Sequence, residues 1–498
     1  MKHLRFLFAI HFVLISMISY GQSMGSLKGN VTDAQTSETL IGTSIVIKGT
    51  LSGTTTDIEG NYILENVTTG NYTIVASFVG YMNQEHQVTI KAGETTTLNL
   101  AMNPDMLGLD EVIVTGVVNR KSALESSVAL TSLKPKFLQE FGAQTTAEIF
   151  KAIPGIRAEA SGGEGNANIA VRGVPVASGG SKFLQLHEDG LPVLQFGDIS
   201  FGNADIFMRA DMSVDRIEAL KGGSASTLAS NSPAGIINFI SKTGTVAGGT
   251  IATTMGVDFK SMRTDFEYGA PLGNGLKFHV GGFFRDGEGP RNPGFSANKG
   301  GQIKANLTKE FEKGYARVYF KYLNDRAISY MPMPVQATGT AGDPTYESIP
   351  GFDLTKYTLQ SPGFLLVNGI DGQGNGRTSN IGDGMHPEVM AFGTEFDFDL
   401  GNGWRMKQRG RLANISGTFN SPFPAQVAGA DAIASDLAGA GYSLSYASGK
   451  NAGVALSAAE ISNLNGNGLL MRVHTFDVEM NNMNNFTNDI FLTKEIGT

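Results

Sequence analysis

The stretch VDRIEALKGGSASTLASNSPAGIINFISKTG, Val214 to Gly244, decides how this chain is read. Val214 to Lys221 has a short helical spacing that carries Arg216, Glu218 and Lys221. Gly222-Gly223 stops it, and a loop of small residues follows. Ile236 to Ile240 then reads as an apolar strand.

Upstream, Ala147 to Ile153 has apolar residues at helical spacing, and Pro154-Gly155 ends it. Ile169-Ala170-Val171-Arg172-Gly173 and Glu188-Asp189-Gly190-Leu191-Pro192 read as strand and turn pieces. Together these segments resemble the plug domain of TonB-dependent outer-membrane receptors. The matching features are the helix ending in Pro-Gly, the Arg-Gly strand, the Asp-Gly turn and the closing strand from Gly235. Two departures mark a less common subgroup. Lys221-Gly222-Gly223 stands where the family usually has Arg-Gly-Pro, and Leu228-Ala229 where it often has Tyr-Gly.

The resemblance implies a transport gate and not an enzyme. No H-E-x-x-H, G-x-S-x-G or Walker pattern occurs, and the seven His are scattered. No cofactor and no metal site is expected. Arg172, Gly173, Arg216, Glu218, Gly222 and Gly235 are the expected structural and gating residues. Charges buried in a polar lumen should pair with the barrel, because removing one partner of a buried pair costs roughly 3–5 kcal/mol. Ligand contacts are expected on plug loop tips, with His187, Phe196, Asp198 and Phe201 as candidates. His187 also fits a hydrogen-bonded structural histidine.

From Gly249 onward the pattern alternates. Ile303, Ala305 and Leu307 share one face, and Gln302, Lys304 and Asn306 the other. Val318, Phe320 and Tyr322 oppose Arg317 and Lys321 in the same way. Apolar outside and polar inside with period two is the pattern of a transmembrane barrel. The acidic face Glu395-Asp397-Asp399 is expected to meet the basic face Arg405-Lys407-Arg409-Arg411. Asn274-Gly275 and Asn402-Gly403 predict two-residue hairpins on one rim. Long connections between Asp325 and Met390, and between Asn420 and Asn465, fit the opposite rim. The family barrel has about 22 strands, and residues after Thr243 supply roughly ten. The chain stops right after an alternating strand, so the rest of the barrel is expected to be missing.

The N-terminal part reads differently. Lys2, His3 and Arg5 precede the apolar run Phe6 to Ile18, and Ser19 and Gly21 supply small residues: a secretory signal. Leu27 to Met102 shows short β-branched strands between turns, which predicts a β-sandwich of about seven strands. GNVTDAQTSETLIGTSIVIKGT and GTTTDIEGNYIL resemble the carboxypeptidase-regulatory-like domain appended to receptors of the Bacteroidetes. Asp57-Ile58-Glu59-Gly60-Asn61 lacks EF-hand spacing and reads as a solvated turn.

Between sandwich and plug lies Leu109 to Gly116, and the resemblance places the TonB box there. Asp110, Glu111, Val112, Ile113, Val114 and Thr115 are its residues. An extended segment of this kind can add as a strand to a partner's sheet edge and bear a pull.

The fold class expected is therefore mainly β: a β-sandwich, an α+β plug and the first part of a transmembrane antiparallel β-barrel. Boundaries fall at 1–21 for the signal, 25–103 for the sandwich, 104–122 for the linker, 123–243 for the plug and 244–498 for the barrel. The resemblance implies an outer-membrane location. The partners it implies are TonB with its ExbB/ExbD energy source, membrane lipid and a small ligand, either a metal chelate or an oligosaccharide. A net charge of -8 without a basic cluster speaks against nucleic acid. Glycan importers of the phylum usually have a coupling segment ending in Gly-Tyr-Gly, whereas Val117-Val118 follows here. That favours an iron-siderophore. A signalling receptor would need a dedicated N-terminal domain, which the sandwich does not resemble.

Overall fold

Why the sheets form where they do follows from which faces are covered. The computed structural model describes residues 24–496 except 35, 49, 51, 79–80, 82–83, 104–111, 114, 116–120, 123–129, 144, 161–162, 176–182, 196–201, 223–228 and 230–231. The expected signal segment lies outside the described residues. The chain divides into two units, the first holding the sandwich, with Met1–Val112 and Lys121–Glu125, and the second holding Ile113–Arg120 and Ser126–Thr498.

In the first unit the strands are β1 (Met24–Asp33), β2 (Ser44–Ile47), β3 (Gly53–Thr55), β4 (Asn61–Thr68), β5 (Gly70–Ser77), β6 (Gln84–Ile90), β7 (Thr95–Thr97) and β8 (Leu100–Met102). They form two four-stranded sheets, β4-β1-β7 with β8 also on β1, and β3-β2-β5-β6. Leu27, Val31, Ile45, Ile74 and Met102 are buried together between them. The Asp57 carboxylate accepts from the Glu59 and Asn61 amides, as a turn residue does. Two short strands, β9 (Val112–Ile113) and β10 (Lys121–Ser122), pair with each other further along.

The inner domain of the second unit has β11 (Leu130–Leu133), α1 (Pro135–Phe141), α2 (Thr146–Lys151), β12 (Ile156–Ala160), β13 (Ala167–Val171), β14 (Leu184–Glu188), β15 (Leu191–Pro192), β16 (Val214–Lys221) and β17 (Gly235–Ser241). The helix expected at Ala147 is α2. A capping box starts it: Thr145 accepts from the Glu148 amide, and Glu148 accepts from the Thr145 amide. A five-stranded sheet runs β11-β16-β17-β14-β15, and β12 pairs β13 beside it.

Val214 to Lys221 is a strand and not the helix its spacing predicts. It lies between β11 and β17, and every residue from Ile217 to Lys221 is buried. A strand covered on both faces loses its alternation, so its sequence imitates a buried helix.

The remaining chain forms a wall: β18 (Gly248–Met255), β19 (Ser261–Gly273), β20 (Leu276–Gly287), β21 (Asn298–Phe311), β22 (Gly314–Arg326), β27 (Met385–Gly401), β28 (Trp404–Gly429), β29 (Leu469–Met480) and β30 (Asn485–Lys494). Two short hairpins, β23 (Gln336–Thr340) with β24 (Asp343–Glu347) and β25 (Leu366–Ile370) with β26 (Gly376–Asn380), fill the connection before β27. All wall pairs are antiparallel. The expected alternation holds. Ile303 and Leu307 are 38% and 41% exposed, whereas Gln302 and Lys304 are 4% and 8% exposed, although they sit on one strand. Polar side chains are covered by the inner domain and apolar ones face out, the reverse of a water-soluble sheet. The inner face also has an apolar patch: Leu323, Val389, Ala391, Ala413 and Ile415 join the inner domain's core around Phe207.

Asn274-Gly275 and Asn402-Gly403 close two hairpins, all four residues at positive φ between 51° and 75°. That is the twist a two-residue turn requires. Asp397 registers opposite Lys407 and Glu395 opposite Arg409, as the charge pattern predicts. Two expectations need correction. Asn420 to Gly429 continues β28 instead of opening a loop, even through Pro422 and Pro424. The prolines are tolerated because β28 runs past the end of its β27 partner at Phe419, leaving that side an edge. The strand count is also lower than ten. β29 and β30 both pair β28, over Gly417–Gly429 and Trp404–Ala413, so they form one interrupted crossing and the described wall has eight.

Candidate functional site

Of the expected coupling residues, Asp110, Glu111 and Val114 lie outside the described residues, and Val112–Ile113 is β9. Thr115 is placed and buried. Its amide and hydroxyl both donate to Glu218 Oε2, the amide at 2.9 Å. Its Oγ1 accepts from Asn238 Nδ2 at 2.9 Å. Glu218 on β16 and Asn238 on β17 are register partners, so one cross-strand pair grips the end of the segment. Arg216 holds the other Glu218 oxygen at 3.0 Å and reaches Asp215 at 2.9 Å.

The remaining gating candidates support this sheet. Arg172 and Gly173 form a turn at φ 48° and 79°, and the Arg172 guanidinium donates to the Lys221 carbonyl at 3.3 Å. Gly222 donates its amide to the Ala234 carbonyl. Gly235 lets the Leu220 carbonyl approach where a side chain would collide. Lys221, standing where the family has arginine, donates to Thr131 Oγ1 and the Pro154 carbonyl. Burial, helped by Arg172, lowers its pKa. The partners described for Arg172, Arg216 and Glu218 all belong to the inner domain or the coupling segment. Direct pairing between the inner domain and the wall is seen at other residues.

Those residues form two clusters. In the first, Arg209 of the inner domain pairs with Asp325 of β22 at 2.6 Å. Arg285 of β20 pairs with Asp325 at 2.6 Å and with Glu164 of the inner domain at 2.9 Å. All four are buried. In the second, Glu188 at the end of β14 pairs with Lys321 at 2.6 Å and lies 3.6 Å from Lys304. Burial works to raise the Glu188 carboxyl, but Lys321 and Lys304 outweigh it and hold it down at about 2. Gly190, two residues on, lies directly against the Arg409 guanidinium, and Arg411 donates to the Pro192 carbonyl. The alternation had already turned Lys304 and Lys321 inward. Their acidic partners had no local signal.

His187, named both as a ligand candidate and as a hydrogen-bonded structural histidine, has the surroundings of the second. It is buried in the sheet and its Nε2 lies 2.8 Å from Gln185 Oε1. Burial first, then Arg411 and Arg409, lower its pKa to about 3. Phe196, Asp198 and Phe201 lie outside the described residues.

A mixed sheet that grips an upstream segment on one side and ion-pairs with an inside-out wall on the other matches a known family over residues 122–236, the TonB-dependent Receptor Plug Domain. The chain carries a TonB-dependent receptor plug domain. Residues 27–114, ahead of the plug, match the CarboxypepD_reg-like domain. The chain is similar to TonB-dependent receptor P3 of Formosa agariphila, 28% identical over 229 residues, 45% of this chain and 21% of that protein. It is 31% identical over 255 residues to TonB-dependent receptor SusC of Bacteroides thetaiotaomicron, 49% of this chain and 24% of that protein. The matched plug-side stretch thus spans about a quarter or less of the length of these relatives. Among solved structures, the ferric-catecholate import receptor Fiu of E. coli K12 superposes with a TM-score of 0.47 at 13% identity, covering 76% of this chain and 48% of that one. The plug domain and the wall place the protein in the outer membrane.

Proposed function

We propose that this protein imports a scarce small ligand across the outer membrane by TonB-coupled movement of the plug, with ExbB/ExbD as the energy source. The domains of this reading are a signal at 1–21, a sandwich at 25–103, a linker with the TonB box at 104–122, the plug at 123–243 and the barrel from 244. The observation that carries it is Thr115, buried on Glu218 and Asn238. A pull on Asp110 to Val114 would load the plug sheet through that grip. The ligand would meet plug tips and the long connections, with Phe196, Asp198 and Phe201 as candidate contacts.

An iron chelate is the first ligand to test. An uncharged oligosaccharide is the second, favoured by the acidic connection before β27. Asp343, Glu347, Asp353, Asp371 and Asp383 outnumber Lys356 and Arg377 there, and an acidic rim repels anionic chelates. Abundance of the protein in outer membranes separates the two: a rise under iron starvation alone selects the chelate, and a rise with one glycan selects that glycan. Uptake of the selected compound then tests coupling. Val114→Pro removes a backbone donor from the pairing strand and is expected to abolish uptake with binding kept. Normal uptake in that variant refutes the coupling.

A further inference from the structure

Asn238 is a fully buried amide in the middle of the apolar strand Ile236–Ile240. Both ends of its side chain are engaged. Nδ2 donates to Thr115 Oγ1 at 2.9 Å, and Oδ1 accepts the Gly190 amide at 3.0 Å. Thr115 closes the coupling segment. Gly190 is the tip of the β14–β15 hairpin, whose two turn residues Asp189 and Gly190 have φ 51° and 85°. That hairpin carries the plug's second hold on the wall, through Glu188 to Lys321 and Lys304. Gly190 itself touches Arg409. One amide therefore lies between the segment that is pulled and the hairpin that holds.

We propose that Asn238 is a positioning residue that passes the state of Thr115 to the Glu188–Gly190 hairpin, so that withdrawing Thr115 loosens the plug's grip on the barrel wall. The proposal rests on the coupled-import reading. Its physical basis is the cost of a buried unpaired donor. With Thr115 gone, Nδ2 has lost its acceptor in a site closed to water. Glu218 Oε2, which loses both Thr115 donors at the same moment, lies on the neighbouring strand in register with Asn238 and can accept from it. Turning the amide toward it takes Oδ1 away from Gly190. Asp189 still ties the hairpin to Ser241, with 2.8 Å to its amide and 2.9 Å to its hydroxyl. The result is a loosened tip and not a released hairpin.

The test is hydrogen exchange on the full chain in lipid nanodiscs, without ligand. Thr115→Val keeps the shape and removes the hydroxyl. The expected result is roughly tenfold faster exchange in the peptide covering 187–192, the size of one lost hydrogen bond in a local opening. Neither described hydrogen bond of the Asn238 side chain goes to the β12–β13 hairpin, which should keep its rate. Thr115→Ser restores the hydroxyl and should return 187–192 to the wild-type rate. In an Asn238→Ala background, Thr115→Val should add nothing further at 187–192, because coupled residues are not additive. A wild-type rate at 187–192 in Thr115→Val, or full additivity in the double variant, overturns the proposal. Should Asn238→Ala fail to fold, the Thr115→Val and Thr115→Ser pair decides alone. Exchange is read without transport, so a negative result leaves coupled import standing, and failure of import is read separately from uptake in Val114→Pro.

Discussion

Arg209 of the plug and Asp325 of the barrel wall lie 2.6 Å apart, and neither side chain reaches solvent. Three further Arg209 hydrogen bonds run to the Ile206, Met208 and Asp325 carbonyls. Removing Arg209 leaves two buried carboxylates, Asp325 and Glu164, on the single Arg285 guanidinium, one negative charge in excess. Arg209→Ala is expected to weaken the plug's attachment by roughly 3–5 kcal/mol. Proteolysis of the plug along a urea gradient measures this, with digestion expected at lower urea in the variant. An unchanged midpoint would show that the pair contributes nothing to holding the plug.

Gly190 and Gly173 separate backbone strain from contact. Both have left-handed φ, 85° and 79°. A Cβ at Gly173 meets nothing within 4 Å, whereas one at Gly190 overlaps the Arg409 guanidinium. Gly173→Ala should cost about 1–2 kcal/mol from φ alone. Gly190→Ala should cost more, and only there should Arg409→Ala recover part of the loss. Thermal unfolding of the wild type, of the two glycine variants and of each combined with Arg409→Ala provides the comparison.

Burial raises the Asp205 carboxyl from its ordinary 3.8 to about 6. Its Oδ2 accepts the Ala167 amide, and its Oδ1 is a buried atom without a hydrogen bond. The folded state therefore keeps a proton that the unfolded chain releases. That contribution is fully present below 3.8 and disappears as the pH rises through 6. About two units correspond to roughly 3 kcal/mol. Asp205→Asn should flatten this part of the stability profile between pH 4 and 6 relative to wild type. Parallel profiles for the two proteins would remove Asp205 from the account.

Ile303 faces out beside Lys304, which faces in. An arginine on the lipid face of a barrel costs about 2–4 kcal/mol near the bilayer midplane. Ile303→Arg should lower the yield of folded protein in the outer membrane. Lys304→Arg, on the inner face, should not. Equal yields for the two would contradict the assignment of faces.

Much of this was legible in the sequence because one face of each element is covered and the other is not. Ile303 against Lys304 gives the wall its two sides, and Asn402-Gly403 fixes a turn by its need for positive φ. The Val214–Lys221 strand was not legible. It is covered on both faces, so Arg216 and Glu218 do not alternate with apolar residues in a way that betrays a strand. The plug–wall pairs were hidden for a different reason. Glu164 and Arg285 are 121 residues apart, and nothing local to either announces the other. Asn238 did leave a trace, as a lone amide in an apolar run.

How the four charges at Arg209 divide has a mechanical consequence. The plug brings Arg209 and Glu164, and the wall brings Arg285 and Asp325. Each side is electrically neutral by itself, and each has its own partner in reach: Arg285 with Asp325 at 2.6 Å, Arg209 with Glu164 at 3.6 Å. Parting the two sides would leave two closed pairs and no orphaned charge. The Glu188 seam lacks that symmetry. There the wall keeps Lys304 and Lys321 and the plug holds Glu188, so parting that seam would separate charge where parting the Arg209 seam would not.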